Sequence, residues 1–163
     1  MSDYEPDAHV IGEGLLATPF TADEIREATG AGKTIRLLVE EPRGTRYLRV
    51  NRFHETDADG ATLDRWRSGV DRVVEGEISS TRVSWRDLQA HAAFPAERTV
   101  LSSETLSLPI GRLECLRYDV REGPEAAPAT FWFAMTHPGM PVRYEAPVDG
   151  GVERTTIVAI EWP

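Results

Sequence analysis

This 163-residue chain is poorest in cysteine, lysine and long apolar runs. Cys115 is its lone cysteine, so no disulfide can form within the chain. Lys33 is the lone lysine, and every other strongly basic side chain is an arginine, a bias that carries no functional reading of its own. No apolar stretch approaches the ~20 residues of a membrane-spanning helix. The opening MSDYEPDAHV carries acids where an export leader needs a basic region followed by an apolar run. These absences together give the expectation of a soluble, cytoplasmic protein without membrane insertion. Positive charge is also short. Lys and Arg number 18 against 27 Asp and Glu, for a net charge of -9. Nucleic acid and anionic membrane surfaces both call for a basic patch, so neither is an expected partner.

Chemical motifs are scarce too. His9, His54, His91 and His137 are scattered without i,i+4 or His-x-His spacing, so no metal site is expected. Thr29-Gly30-Ala31-Gly32-Lys33-Thr34 looks like part of a phosphate loop. Glu27 stands where that motif needs its first glycine, and here a helix precedes the loop and a strand follows it. Glu55, Asp57, Asp59 and Gly60 look like the start of a calcium loop. The closing bidentate glutamate would fall on Trp66, so a hairpin turn is the better reading. No Gly-x-Ser-x-Gly elbow is present. Cys115, between Glu114 and Leu116, reads as a small core hydrophobe. His91, beside Ala92 and Phe94, reads as a packed helix-end histidine, and His137 as a turn residue facing water. No catalytic residue, metal or cofactor is therefore assigned.

What the chain does hold is 40% hydrophobic residues over a length that suits one domain. A chain of this size buries roughly 70% of its unfolded surface and needs no staple. Residues 1–18 lack a period and read as a tail or surface arm, leaving 19–163 as a single domain. Thr21 and Glu24 form a capping box, with Phe20 and Ile25 at the staple positions, so a helix is predicted from Ala22 to about Thr29, stopped by Gly30. It is short, and Ile25 must pack it onto something. A second short helix starts at the Ser84 cap, presents Trp85, Leu88 and Ala92, and ends at Phe94-Pro95. Between and after these helices the period is two. Alternating runs from Ile35, Tyr47, Ala61, Val73, Thr99, Leu113, Phe131, Met140 and Thr155 give about nine strands at hairpin spacing. There are no βαβ intervals, so the sheet is antiparallel.

The best hydrophobic face lies in FWFAM-THPG-MPVRY, residues 131–144. A four-residue turn at 136–139 sets Met135 opposite Met140, Phe133 opposite Val142 and Phe131 opposite Tyr144, all facing inward. Trp132 and Arg143 then lie together outside, in cation–π contact. A five-residue turn would bring Arg143 and Glu145 opposite the phenylalanines, and one residue of slip turns every side chain over.

Gly111-Arg112-Leu113-Glu114-Cys115 with Tyr118, followed by FWFAM and PGMPVRYE, resembles the C-terminal half of the lipoprotein-localisation-factor-like proteins and related bacterial domains. The resemblance implies a strongly curved antiparallel sheet, an unclosed half-barrel, with helices on its concave side. It also implies binding of lipid or acyl chains between sheet and helices, without catalysis. A mainly β, α+β half-barrel of about nine strands with two short helices in its concavity is the fold expected.

Three functions follow from these residues. The first is binding of a hydrophobic small molecule or acyl chain, on Leu116, Tyr118, Phe131, Phe133, Met135, Met140, Val142 and Tyr144. The second is an interaction or homodimerisation module whose aromatic face is filled core. The third is an enzyme using Cys115 or His91. They rank in that order.

Overall fold

The computed structural model describes residues 7–163. Residues 1–6 of the expected N-terminal tail lie outside the described residues. Among the described residues there are nine strands, two α-helices and one 3-10 turn. The helices are α1 (Ala22–Glu27) and α2 (Trp85–Ala90). The strands are β1 (Thr34–Glu40), β2 (Arg46–Thr56), β3 (Gly60–Ser68), β4 (Val74–Ser84), β5 (Thr99–Leu108), β6 (Gly111–Val120), β7 (Ala129–Ala134), β8 (Arg143–Val148) and β9 (Gly151–Glu161). They form one antiparallel sheet in the order β4-β3-β2-β1-β9-β8-β7-β6-β5. Hairpins account for every neighbour but one. The exception is β1 beside β9, which joins a four-stranded N-terminal half to the C-terminal strands. The sheet curves without closing, and β4 and β5 are left as its two edges.

Residues directly paired across a ladder share a face, so the register sorts the side chains. One row runs Leu101, Tyr118, Phe131, Tyr144, Thr155, Val39 and Tyr47. The row one residue along runs Ser102, Arg117, Trp132, Arg143, Thr156, Leu38 and Leu48. The first row lies on the inner face, the one the helices cover. Ile35, Leu37 and Val39 alternate onto it from β1, and all three are buried.

The helices are held by the contacts their sequences encode. The Thr21 hydroxyl accepts from the Glu24 amide at 3.2 Å, and the Glu24 carboxylate accepts from the Thr21 amide at 3.1 Å. Ile25 carries α1 into the core at 4% exposure. The Ser84 hydroxyl accepts from the Asp87 amide at 3.0 Å and starts α2. The Gln89 side chain on α2 then ties three segments together. Its oxygen accepts from the Ala22 amide, and its nitrogen donates to the Ala8 carbonyl and the Thr18 hydroxyl. The arm before α1 also lies along the chain after α2, where the Leu16 amide meets the Phe94 carbonyl at 2.9 Å.

The 57–60 segment is a hairpin turn. The Asp57 carboxylate accepts from the amides of Asp59 and Gly60 at 2.9 and 3.0 Å. Gly60 is required there by crowding, since a Cβ would stand 2.0 Å from the Val83 carbonyl oxygen.

The aromatic hairpin keeps its expected register only in part. Phe131 pairs with Tyr144 and Trp132 with Arg143. Beyond that rung the strands part, so residues 135–142 form a broad loop in place of a four-residue turn. Phe133 pairs with Leu116 on the other side. Met135 is 49% exposed and does not face inward. Trp132 and Arg143 share a face as expected, but Trp132 is 5% exposed and its cation is a different arginine. The Arg117 guanidinium lies 5.3 Å from the Trp132 ring, and the indole N–H donates to Glu104 at 2.6 Å. Arg143 donates instead to the Thr156 hydroxyl at 3.1 Å. An indole has one polar atom to satisfy, and Glu104 on β5, two strands away, supplies the acceptor.

Candidate functional site

The inner face is not completely filled. A cavity of about 340 Å³ lies between the helices, the first three strands and the aromatic hairpin. Its roof is Ile25 and Thr29 at the end of α1 with Leu88, His91 and Ala92 at the end of α2. Its floor comes from three neighbouring strands: Lys33 and Ile35, then Asn51 and Phe53, then Leu63 and Arg65. Phe131, Phe133 and Tyr144 make one wall, and residues 138–141 of the broad hairpin loop form its lip.

The cavity exists because of the helices' brevity. Two six-residue helices cannot cover the inner face of nine strands. Phe94 fills the space on the far side, against Tyr118 at 5.3 Å and Phe131 at 4.9 Å between ring centroids. Phe131 in turn stacks on Tyr144 at 5.9 Å. This aromatic row is the rigid back wall of the cavity, since large rings in mutual contact lose little further freedom on binding.

Of the eight residues expected to bind a ligand, Phe131, Phe133, Met140 and Tyr144 line the cavity. Tyr118 lies behind the wall, 1% exposed, edge-on to Phe133, with its hydroxyl donating to the Ala17 carbonyl at 3.1 Å. Val142 is fully buried and bonds through its backbone to Trp132 and Ile157. Leu116 and Met135 border a shallow groove elsewhere, beside Ser103, Glu104 and Thr105.

The floor residues were missed by sequence reasoning. Lys33 continues the β1–β2 pairing, its carbonyl accepting from the Phe53 amide at 2.9 Å. Its ammonium donates to the Ala28 carbonyl at 2.9 Å and stands 5.1 Å from the Trp162 ring centroid. Burial lowers its pKa from the usual lysine range. Asn51 is 5% exposed, and its Oδ1 has no hydrogen-bond partner. The Tyr144 hydroxyl accepts from Arg49 at 2.9 Å. The uniqueness of Lys33 was visible in the sequence, but nothing local sets it beside Asn51 and under α1.

Cys115 and His91 are not brought together. Cys115 shares its face with Arg117 and Ala134, opposite to the cavity, and is buried. Burial, and then the Glu104 charge, push its thiol pKa up. His91 is exposed at the cavity rim, at the C-terminal end of α2. No group of three or more His, Cys, Asp or Glu side chains is placed to hold a metal among the described residues. No helix among them is long and apolar enough to cross a membrane.

No family model and no curated protein matches the chain. Among solved structures it is similar to a Bacteroides fragilis protein with a YmcC-like fold. The two are 12% identical and superpose with a TM-score of 0.48 over 82% of this chain and 97% of that one.

Proposed function

We propose that this protein binds a hydrophobic small molecule or acyl chain between its curved sheet and its two short helices. The cavity carries this reading. Its volume of about 340 Å³ lies at the lower end of the ~300–1,000 Å³ typical of small-molecule sites. Its lining is largely aliphatic and aromatic, with a few polar groups among them, which is the usual composition of such sites. Phe131, Phe133, Met140 and Tyr144 contact the ligand, while Tyr118 and Val142 hold that wall in place. The resemblance of residues 111–163 to the lipoprotein-localisation-factor-like proteins points to the same ligand class.

Ala92→Phe tests the reading, because Ala92 lines the roof and a phenyl group there occupies the space a ligand needs. The wild type should bind a fluorescent hydrophobic dye, and Ala92→Phe should bind it at least about tenfold more weakly while keeping its circular dichroism. Equal dye binding by both, or none by the wild type, would overturn the proposal.

One observation favours a second reading, that of an interaction module. Edge strand β4 is exposed along nearly all of its eleven residues, and Val70, Val73, Val74 and Ile78 are apolar and exposed on or beside it. An open, apolar edge is a template for pairing with another chain. Sedimentation over a wide concentration range should show association that Ile78→Lys weakens. A monomer at every concentration removes this reading.

A further inference from the structure

The cavity's basic groups have no acid beside them. Lys33, Arg65 and His91 line it and no acid does, although acids outnumber Lys and Arg by 27 to 18 in the chain. Asn51 and Arg65 are direct partners across the β2–β3 ladder and so stand side by side on the floor. On the same ladder Arg52, one rung away, pairs with Asp64 at 3.0 Å and Arg67, two rungs the other way, with Glu75 at 3.3 Å, whereas Arg65 joins no ion pair among the described residues. Asn51 is nearly completely buried, yet its Oδ1 has no partner and its Nδ2 reaches only the Met140 sulfur, at 4.0 Å. Thioether sulfur is a weak acceptor, so this amide is effectively unsatisfied at both ends. A half-turn about χ2 exchanges the ends, so the amide can aim N–H at an oxygen. Asn51, Arg65 and Met140 also border an open groove farther along the same face that holds Tyr47, Arg49 and Arg67. They therefore stand where the apolar cavity opens onto a cationic surface.

We propose that the occupant is an amphiphile with an anionic head, a long-chain carboxylate, whose chain fills the cavity under α1 against Phe131 and Phe133 and whose carboxylate sits at the mouth on Asn51 and Arg65. This rests on the reading of the cavity as a hydrophobic-ligand site. Arg65 supplies charge-assisted donors, and Asn51 gains the partner it lacks. Arg49, which joins no ion pair among the described residues and donates to the Tyr144 hydroxyl, adds positive potential around the head, which steers an anion to this end of an otherwise acidic protein.

Three probes with one chain length separate head from tail: dodecanoate, 1-dodecanol and dodecyltrimethylammonium, each titrated calorimetrically at pH 8, the two ionic probes below their micelle concentrations and the alcohol below its solubility limit. Dodecanoate should bind about tenfold or more tightly than 1-dodecanol, and the ammonium amphiphile weakest of the three. Arg65→Gln, at an exposed position that leaves the fold intact, and Asn51→Leu should each reduce that preference and leave 1-dodecanol affinity within about twofold. If the wild type binds neither dodecanoate nor 1-dodecanol, the cavity reading falls and the head assignment with it. If it binds both equally, or if the preference survives Arg65→Gln and vanishes in Lys33→Met, the head assignment alone falls.

Discussion

At the scale of the residue, the unusual groups are the buried ionisable ones. Lys33 is 6% exposed and its pKa is lowered by desolvation. The unfolded chain therefore holds that proton more tightly than the folded chain does, and stability rises with pH through the window that ends near the ordinary lysine value. Wild type should thus gain stability relative to Lys33→Met between neutral pH and about pH 10.5 in parallel denaturant titrations. A flat or falling difference would show that the ammonium is not desolvated. On the outer face Asp64 is 2% exposed and accepts from Ser80, Arg52 and His54. These bonds, with Ser80 foremost, hold its pKa below the usual carboxylate range. Its contribution is present above the unfolded pKa and is lost as pH falls through the folded one. Asp64→Asn should cost about 1–3 kcal/mol at pH 7, and the cost should shrink steadily as pH falls below the ordinary carboxylate range. The buried Cys115 thiol should react with a maleimide far more slowly in the native protein than in denaturant, and equal rates would place it at the surface.

At the scale of the element, α1 owes its existence to its two ends and one side chain. Six residues give too few internal hydrogen bonds for stability alone. Thr21→Ala should cost about 1 kcal/mol through loss of the cap. Ile25→Ala should cost about 2–4 kcal/mol, less if the enlarged cavity takes up solvent, and a loss under about 0.5 kcal/mol would place the helix on the surface. The aromatic hairpin is held differently. Its pairing stops after Trp132↔Arg143 because β7 continues against β6 while the chain leaves to form the cavity lip. The loop residues Pro138, Gly139, Met140 and Pro141 then serve as wall. Two prolines fix φ and limit the freedom lost on ordering it.

At the scale of the whole molecule, β9 is the joint. It pairs with β8 beside it in sequence and with β1 at the other end of the chain, Thr34 standing opposite Glu161. Every other strand neighbour is a hairpin partner. Ile157, 2% exposed and paired with Leu37, sits at that joint beside a register shift. Ile157→Ala should cost about 2–4 kcal/mol while unfolding remains a single transition, since both sheet halves share one core across β9. Two separated transitions in the variant, seen by fluorescence and far-ultraviolet dichroism, would mean that the halves are independent.

The sequence by itself determined the local elements. Strand period, the 57–60 turn and both helix caps are set by residues within a few positions of each other and are found where the pattern places them, as is the Phe131–Tyr144 pairing, although the turn expected at 136–139 is a broad loop. The inward wall of Phe131, Phe133, Met140 and Tyr144 was legible for the same reason. Tertiary structure decided what those elements enclose. Pairing of β1 with β9 brings the N-terminal strands under the aromatic wall, and no local pattern encodes a contact across more than a hundred residues. The same pairing sets Lys33, Asn51 and Arg65 on the cavity floor. It was also a distant residue, Glu104, that let Trp132 be buried, because an indole N–H goes inside only where an acceptor waits for it.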